Sequence, residues 1–177
     1  DDPYNHSYLN WANEVYKPTY ITQHTLNLTG GSEIGRYLVS FDYLDQPGLV
    51  KNTEYQRYSY RVNTDLNIGK MLKVSSDVTY RHVDRLWPES LGSVQYDVWS
   101  MQPTSPVRYE NGDYRLDKQN RNAISLMDLD VVGEDRYNMD VVYGQVKADF
   151  EPIKDLVFTG MASLNGSWDR RKIHYKN

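Results

Sequence analysis

The sequence of 177 residues has no cysteine, which excludes disulfide bonds and thiolate metal ligands. It has no run of 18 or more apolar residues, so a transmembrane helix is excluded as well. Acidic residues outnumber basic ones by 24 to 20, and the net charge of -4 provides no basic footprint for nucleic acid. No basic segment leads into an apolar stretch at the start, so we expect no signal peptide within the chain.

Patterns typical of catalysis or metal binding are missing too. There is no nucleophile elbow, phosphate loop or pair of catalytic carboxylates, so we predict neither an enzyme nor a cofactor. Asp128, Asp130 and Gly133 resemble the start of a calcium loop, but Val132 and Met139 stand where oxygen ligands belong. We therefore predict an acidic loop in solvent, and the four histidines show no metal-ligand spacing.

What the chain has in excess is tyrosine, with 16 against 3 phenylalanines. Tyrosine suits positions where the ring is buried and the hydroxyl stays solvated. In GGSEIGRYLVSFDYLDQPGLVKN, residues 30–52, the side chains of Tyr37, Val39, Phe41 and Tyr43 are two apart and share one side of a strand. The same alternation recurs along the chain and predicts an all-β protein.

Turns and loops separate the alternating segments of the sequence. We predict four strands in two hairpins over 22–84 and two more strands over 138–168. Short turns fall at Gly69 and near Pro152, whereas 1–21 and 85–137 are long loops and 169–177 starts another. Short turns at one rim and long extracellular loops at the other are typical of outer-membrane barrels.

The length of these alternating segments and the difference between their two sides support a membrane barrel. They extend over about 10 to 14 residues, whereas strands in soluble sheets average about 5 or 6 and a bilayer-spanning strand needs roughly 9 to 11. The side opposite the apolar one carries charges, which suits a water-filled or plugged lumen. These charged residues are Arg57, Arg61, Asp65, Lys73, Asp77 and Arg81.

Two other architectures remain open at this point. A soluble antiparallel β-sandwich also alternates, and it would act as a polymer-binding domain such as a carbohydrate-binding module. A small eight-stranded barrel is the third option. The deciding feature is whether Val39, Val62 and Val146 are covered by another layer of the same protein.

The loop 85–137 contains two local patterns. Leu91, Val94, Val98 and Met101 recur at helical spacing before Pro103, which predicts a short helix packed on the mouth of the barrel. The segment RYENGDYR carries an Asn-Gly hairpin signal, so we predict a small ribbon there.

The segment HTLNLTGGSEIGRYLVSFDYLDQPGLVKNTEYQRYSYRVNTDLNIGKMLKVSSDVTYR resembles the first barrel strands of SusC/RagA-type TonB-dependent outer-membrane transporters. YLNWANEVYKP and PTSPVRYENGDY resemble further segments of that family, whereas Asn122-Ala123 stands where relatives often have Asn-Pro. The residues matching the family pattern are Gly30, Gly31, Arg36, Tyr37, Ser40, Tyr43, Gln46, Gly48, Lys51, Asn52, Arg57, Tyr58, Arg61 and Asn63.

The resemblance implies a 22-stranded transmembrane β-barrel with a plug domain. Such a barrel imports oligosaccharides or peptides through the outer membrane of a Bacteroidota-type Gram-negative bacterium. It works with a SusD-like surface lipoprotein and is powered by TonB. We expect this chain to supply about six strands, without the plug and the TonB-contacting region. Within the long loop, we expect Trp87, Tyr96 and Trp99 to contact substrate or the lipoprotein lid, because aromatic rings stack on sugars and anchor protein interfaces.

Overall fold

The computed structural model describes residues 8–117 and 121–176, so residues 1–7 of the predicted first loop lie outside the described part. Six strands form one antiparallel sheet in which each strand pairs with its neighbours in chain order. The strands are β1 (Thr22–Gly31), β2 (Gly35–Asp45), β3 (Glu54–Ile68), β4 (Leu72–Pro88), β5 (Gly133–Ile153) and β6 (Leu156–Tyr175). The helices are α1 (Trp11–Val15), α2 (Leu91–Ser100), a 3-10 turn (Ser125–Met127) and α3 (Leu129–Val132).

None of the helices in the described ranges is both long and apolar enough to cross a membrane.

The later strands are longer than the sequence predicts. β4 continues to Pro88 and β5 begins at Gly133, so the long connection covers 89–132 rather than 85–137. The prediction of a loop over 169–177 is wrong as far as Tyr175, because β6 stays paired with β5 up to the Gly133–Tyr175 pair. Alternation of apolar and polar residues marks a strand only where its two faces meet different surroundings. Backbone pairing continues beyond that zone without this signal.

The short turns lie at the opposite end of the sheet from the long connections. Gly69, between β3 and β4, has a φ of 66°, and Asp155, between β5 and β6, has a φ of 69°. Glycine adopts this left-handed conformation without steric cost. At the second turn the backbone N–H of Asp155 donates to the Glu151 carboxylate at 3.1 Å.

The register gives the sheet one continuous apolar face. Directly paired residues lie on the same face, and one row across all six strands consists of Leu28, Val39, Val62, Val78, Gly144 and Leu164. A row nearer the long connections consists of His24, Tyr43, Tyr58, His82, Asp140 and Trp168. We call the second row the upper belt. The face containing both rows is the apolar face, and the other is the polar face.

Between the upper belt and the short turns, the apolar band has a constant width. It covers residues 58–68, 72–82, 140–150 and 158–168, each of 11 residues, and ends at a row of Ile68, Leu72, Phe150 and Phe158. Ten steps of about 3.3 Å, tilted by about 40°, give a height of roughly 25 Å. This is the height of the apolar band of outer-membrane barrels.

No second layer in the described part of the chain covers this face. The side chains of Val39 and Val62 are each 40% exposed, and that of Val146 is 50% exposed. The sandwich alternative requires these three residues to be sealed beneath another sheet. The fold is therefore a single-layered barrel segment.

Large rings cover glycines on the apolar face. A Cβ at Gly30 would lie 2.5 Å from the hydroxyl of Tyr37, and one at Gly166 would lie 2.8 Å from the Trp168 ring. The rings therefore lie over these glycines, and a larger residue at either position would displace the ring. Along the upper belt, ring centroids of Tyr43 and Tyr58 are 5.0 Å apart.

Candidate functional site

The polar face carries a lattice of ion pairs that joins neighbouring strands. Arg57 of β3 lies 3.0 Å from Asp42 of β2, and Arg61 of β3 lies 2.5 Å from Asp77 of β4. Asp42 also accepts hydrogen bonds from Gln23 at 2.7 Å and Thr25 at 2.8 Å. The lattice neutralises the charges locally and leaves a hydrophilic wall, as expected for a surface that faces water inside a barrel.

At the end of the sheet opposite the short turns, three segments fold together around a buried core. They are 8–17 with α1, 46–53 between β2 and β3, and 89–132 between β4 and β5; we call them the outer loop cluster. Asn10 caps α1, because its side chain accepts from the backbone N–H of Asn13 at 3.3 Å. The buried core residues are Trp11, Val15, Val94, Val98, Met101, Ala123 and Met127.

Hydrogen bonds hold the first segment to the other two. The Trp11 indole donates to the carbonyl of Gln102 at 3.0 Å, across 91 positions of sequence. The backbone N–H of Lys17 donates to the carbonyl of Leu49 at 2.9 Å. The cluster is thus one folded unit at the mouth rather than a set of independent loops.

The predicted helix and ribbon of the long connection are both confirmed. α2 buries Val94 and Val98 and ends at Ser100, three residues before Pro103. In the ribbon, Arg108 pairs with Tyr114, and Gly112 at the tip has a φ of 90°. Local sequence signals sufficed for these elements because the apolar spacing of α2 and the Asn-Gly turn of the ribbon are both contained within a few residues of sequence.

Asn122 is the hydrogen-bonding centre of the cluster. Its side chain is fully buried and donates to the carbonyls of Val107 and Arg115, both at 2.9 Å. The side-chain oxygen accepts from the backbone N–H groups of Ile124 at 3.0 Å and Ser125 at 3.2 Å. The Asn-Ala pair that departs from the family pattern therefore connects the ribbon to the 3-10 turn, with Ala123 in the core.

A second polar contact fixes the ribbon against α3. Tyr114 donates its hydroxyl to Asp128 at 2.7 Å, and the guanidinium of Arg108 lies 3.7 Å from the centre of the Tyr114 ring. Burial and the bond to Asp128 raise the pKa of Tyr114 to about 12. The same hydrogen bond lowers the pKa of Asp128, which also accepts from the backbone N–H of Asp130 and so caps α3.

This cap accounts for the acidic residues that resemble a calcium loop. The Asp128 carboxylate is occupied by Tyr114 and by the start of α3, and Asp130 pairs with Lys176 at 3.2 Å. Across residues 8–117 and 121–176, no three His, Cys, Asp or Glu side chains are grouped closely enough to hold a metal ion.

α2 carries a buried carboxylate on its inner side. Asp97 has a side chain only 4% exposed, and the guanidinium of Arg121 lies 3.6 Å from it. Burial raises the pKa of Asp97 above its usual value of 3.8, and Arg121 only partly opposes this shift. Arg121 itself is held by two hydrogen bonds to Asp117, at 2.9 and 3.1 Å, and these raise its pKa.

The three aromatic residues expected to contact ligand occupy two places. Trp87 lies at the outer end of β4 on the polar face, 36% exposed, with the Arg85 guanidinium 3.8 Å from its ring centre. Tyr96 and Trp99 lie on the outer side of α2 and are 69% and 77% exposed. Tyr96 and Trp99 are therefore separate from Trp87, and the three aromatic residues do not form a single patch.

An open groove runs beside Trp87, where the sheet meets the outer loop cluster. Its volume is about 500 Å³. Both Tyr55 and Trp87 come from strands and lie on the polar face, so the groove opens toward that face. Its apolar lining consists of Tyr16, Leu49, Val50, Tyr55, Trp87 and Leu91.

Sequence reasoning missed a charged cluster next to Trp87. Arg171 forms two hydrogen bonds to Asp135, at 2.9 and 2.8 Å, and Arg85 lies 3.7 Å from the same carboxylate. The Arg85 guanidinium also lies 5.0 Å from the centre of the Tyr137 ring. The alternating charges of β4 could have indicated Arg85, but its partners lie in segments predicted as loops.

Relatives in sequence are TonB-dependent receptors. Over 115 residues the chain is 30% identical to TonB-dependent receptor P26 of Formosa agariphila, a match covering 64% of this chain and 11% of that protein. It is 25% identical over 104 residues to TonB-dependent receptor SusC of Bacteroides thetaiotaomicron, covering 58% of this chain and 10% of that protein. The chain thus spans about a tenth of the length of these relatives. A comparison with models of known protein families finds no match.

The fold is shared with part of a solved transporter. A structure described as the RagAB peptide transporter superposes on 94% of this chain and on 20% of its own, with a TM-score of 0.76 and 22% sequence identity. The structural superposition is evidence about the fold, whereas the sequence matches are evidence of common ancestry. Together they support the assignment of this chain to the barrel of a SusC/RagA-type TonB-dependent transporter.

Proposed function

We propose that the chain forms part of an importer that carries oligosaccharides or peptides across a bacterial outer membrane. In this proposal a SusD-like lipoprotein covers the outer mouth, and TonB drives uptake through a region beyond this segment. The role is transport rather than catalysis. The curated relatives are named as receptors, and the solved neighbour is named as a peptide transporter.

The observation that carries the proposal is the two-faced single sheet. One face is an uncovered apolar band 11 residues wide beneath a belt of aromatic residues, and the other is a lattice of ion pairs. Apolar side chains such as Val62 and Leu164 are 40% to 70% exposed. A whole face of such side chains is stable when hydrocarbon, rather than water, covers it. A lipid-facing outer surface and a water-facing lumen satisfy both faces at once.

We assign different roles to the two groups of aromatic residues. Trp87 lines an apolar groove on the lumen side, so it contacts cargo entering the barrel. Tyr96 and Trp99 are 69% and 77% exposed on the surface of α2, with the Arg121 guanidinium 5.8 Å from the centre of the Tyr96 ring, so they contact the lipoprotein lid. Exposed Trp and Tyr side chains are the residues that most often anchor protein interfaces.

Growth of a deletion strain tests the proposal. The full-length gene containing this segment is deleted in its parent bacterium, and growth is measured on single polysaccharides and on a peptide digest. We expect growth to fail on at least one polymer and to return with the wild-type gene. Unchanged growth on every oligosaccharide and peptide source would contradict the proposed import.

Single substitutions then test the roles within the mouth. We expect Trp87→Ala to lower uptake of the cargo by about fivefold or more, since a contact residue contributes ~1 kcal/mol or more. Trp99→Ala should weaken co-purification of the lipoprotein instead. Trp168→Ala is the matched control, because this tryptophan is 62% exposed but lies on the apolar face. Each result is normalised to the amount of transporter in the outer membrane.

A further inference from the structure

Three basic side chains lie together just beyond the upper belt on the apolar face. Arg170 follows Trp168 by two positions on β6, and Lys172 follows by four. The pairing register places Arg136 of β5 directly opposite Lys172, and Arg170 opposite Asn138. All three cations therefore share the face that bears the apolar band, on adjacent strands; we call them the outer basic triad.

The height of the triad matches the headgroup layer of a membrane. With about 3.3 Å per residue and a tilt of about 40°, Arg170 lies roughly 5 Å above the upper belt and Lys172 roughly 10 Å above it. The headgroup region adds about 5 to 7 Å on each side of the hydrocarbon. The long side chains of arginine and lysine reach across the difference.

The triad is only loosely paired with protein carboxylates, and Arg170 interacts with Asp140 through charge alone. Arg136 has a single contact with Glu134, at 4.0 Å, and both side chains are partly exposed. Within residues 8–117 and 121–176, the side chains of Arg170 and Lys172 make no hydrogen bond or ion pair. The carboxylate of Asp140, the nearest acid of the upper belt, is already bound by Tyr80 at 2.7 Å and by His82 at 2.8 Å.

Two features indicate that an external anion completes the triad. Arg136 and Lys172 are like charges directly opposite each other across a strand pair, which is destabilising unless an anion lies between them. The row of Arg136 and Lys172 continues on the neighbouring strands as Leu86 and Glu54, and the row of Arg170 continues as Asn138, Asp84, Gln56, Asp45 and Thr22, so neither row carries a further cation. The positive charge is thus confined to β5 and β6.

We propose that the outer basic triad binds the phosphate group of a lipid in the outer leaflet of the membrane. The proposal rests on the membrane placement of the proposed function. Guanidinium groups bind phosphate oxygens in bidentate geometry, and lysine adds a third charge. Trp168 and Gly166 below the triad provide an apolar surface for the acyl chains of the same lipid.

Binding of phosphatidic acid to the purified full-length transporter in detergent tests the site. Native mass spectrometry counts bound phosphatidic acid during a titration, and diacylglycerol provides the phosphate-free comparison. We expect the Arg136→Gln/Arg170→Gln/Lys172→Gln variant to bind phosphatidic acid about tenfold more weakly or worse. The control, Lys73→Gln/Arg81→Gln/Lys147→Gln, removes three charges from the polar face and should bind like the wild type.

Two further measurements make each outcome of the lipid-binding test decisive. Arg136→Lys/Arg170→Lys keeps the charge and should retain most of the binding, which separates a binding defect from misfolding. Inorganic phosphate at the same concentration should neither bind measurably nor displace the lipid. Equal lipid binding by the Gln triple variant overturns the proposal, and so does displacement by inorganic phosphate, which would indicate a site for the free ion. Because no transport is measured, failure here leaves the import proposal to its own growth test.

Discussion

The sheet and the outer loop cluster use apolar residues in opposite ways. In the sheet, Val62 is 40% exposed and Leu164 is 70% exposed, so the apolar side chains have no partner layer within this chain. In the cluster, Val15 and Ala123 are fully buried and Met127 is 2% exposed. Under the proposed membrane placement, lipid covers the apolar side chains of the sheet, whereas the protein itself covers those of the cluster.

This difference separates the sources of stability in the two regions. The sheet depends on its backbone hydrogen-bond ladders and, in the proposed membrane placement, on removal of its apolar face from water. The cluster depends on a compact core and on satisfied buried polar groups, as in a water-soluble domain. Substitutions in one region should therefore leave the other largely intact.

The largest expected effect is in the core of the cluster. Trp11→Ala removes a side chain that is 3% exposed together with its hydrogen bond to Gln102. We expect the cluster to lose about 3 to 5 kcal/mol, enough to unfold it, while the strands stay paired. Hydrogen exchange of the full-length transporter should show loss of protection within the outer loop cluster, including α2, and none in the strands of the sheet. Loss of protection in β3 as well would mean that the two regions are not independent.

Next in size is a substitution that compares the two faces of the sheet. Val62 lies near the middle of the apolar band, and its neighbour Asn63 lies on the polar face beside Asp77. We expect Val62→Arg to cost about 2 to 4 kcal/mol, the penalty for arginine at the bilayer midplane. Asn63→Arg should cost less than about 1 kcal/mol, because the new charge faces water and Asp77. Urea unfolding in lipid vesicles measures both, and equal costs would contradict the assignment of faces.

A smaller effect is expected for the hydrogen-bonding centre of the cluster. Asn122→Ala leaves the carbonyls of Val107 and Arg115 without their side-chain donor. We expect a loss of about 2 kcal/mol from the cluster, the cost of leaving buried polar groups unpaired. Limited proteolysis between α2 and β5 should become faster. Ser105→Ala in the same connection is the comparison, and an equal increase there would show that Asn122 has no special role.

The smallest effect is a pH dependence confined to the cluster. Burial raises the pKa of Asp97 in the folded state above 3.8, so the folded cluster binds this proton more tightly than the unfolded chain. The stability linked to this group is present below pH 3.8 and is lost as the pH rises through the folded pKa.

Asp97→Asn removes this linkage. We expect the variant to become more stable than the wild type by about 1 kcal/mol or less as the pH rises above that window. Hydrogen exchange of α2 between pH 3 and pH 7 measures the difference. A variant that loses stability relative to the wild type as the pH rises would show that attraction to Arg121 outweighs burial.

Much of the fold could be predicted from local pattern. The alternation around Val39 and Val62 predicted both the strands and the face that stays uncovered, because each strand is only two-sided. The spacing of Val94 and Val98 predicted α2. In contrast, the end of β6 at Tyr175 was missed, since both faces of its outer part carry polar and charged residues and the alternation fades.

The candidate site was less predictable. Trp87, Tyr96 and Trp99 are close in sequence, but a strand end and a helix surface direct them to different places. The contact of Asp135 with Arg171 spans 36 positions, and no local signal reports such a pair. The groove beside Trp87 includes Tyr16 and Leu49 from two other segments, so its existence follows only from the folded cluster.

The sequence by itself determined which side chains share each face of the sheet, because the period of two is a property of the extended backbone and needs no distant contact. The tertiary structure alone decided what the loops build. The bond from Trp11 to Gln102, the core around Ala123 and the opposition of Arg136 and Lys172 all join residues whose separation in sequence carries no information about their distance in space. Burial and register, rather than propensity, bring these residues together.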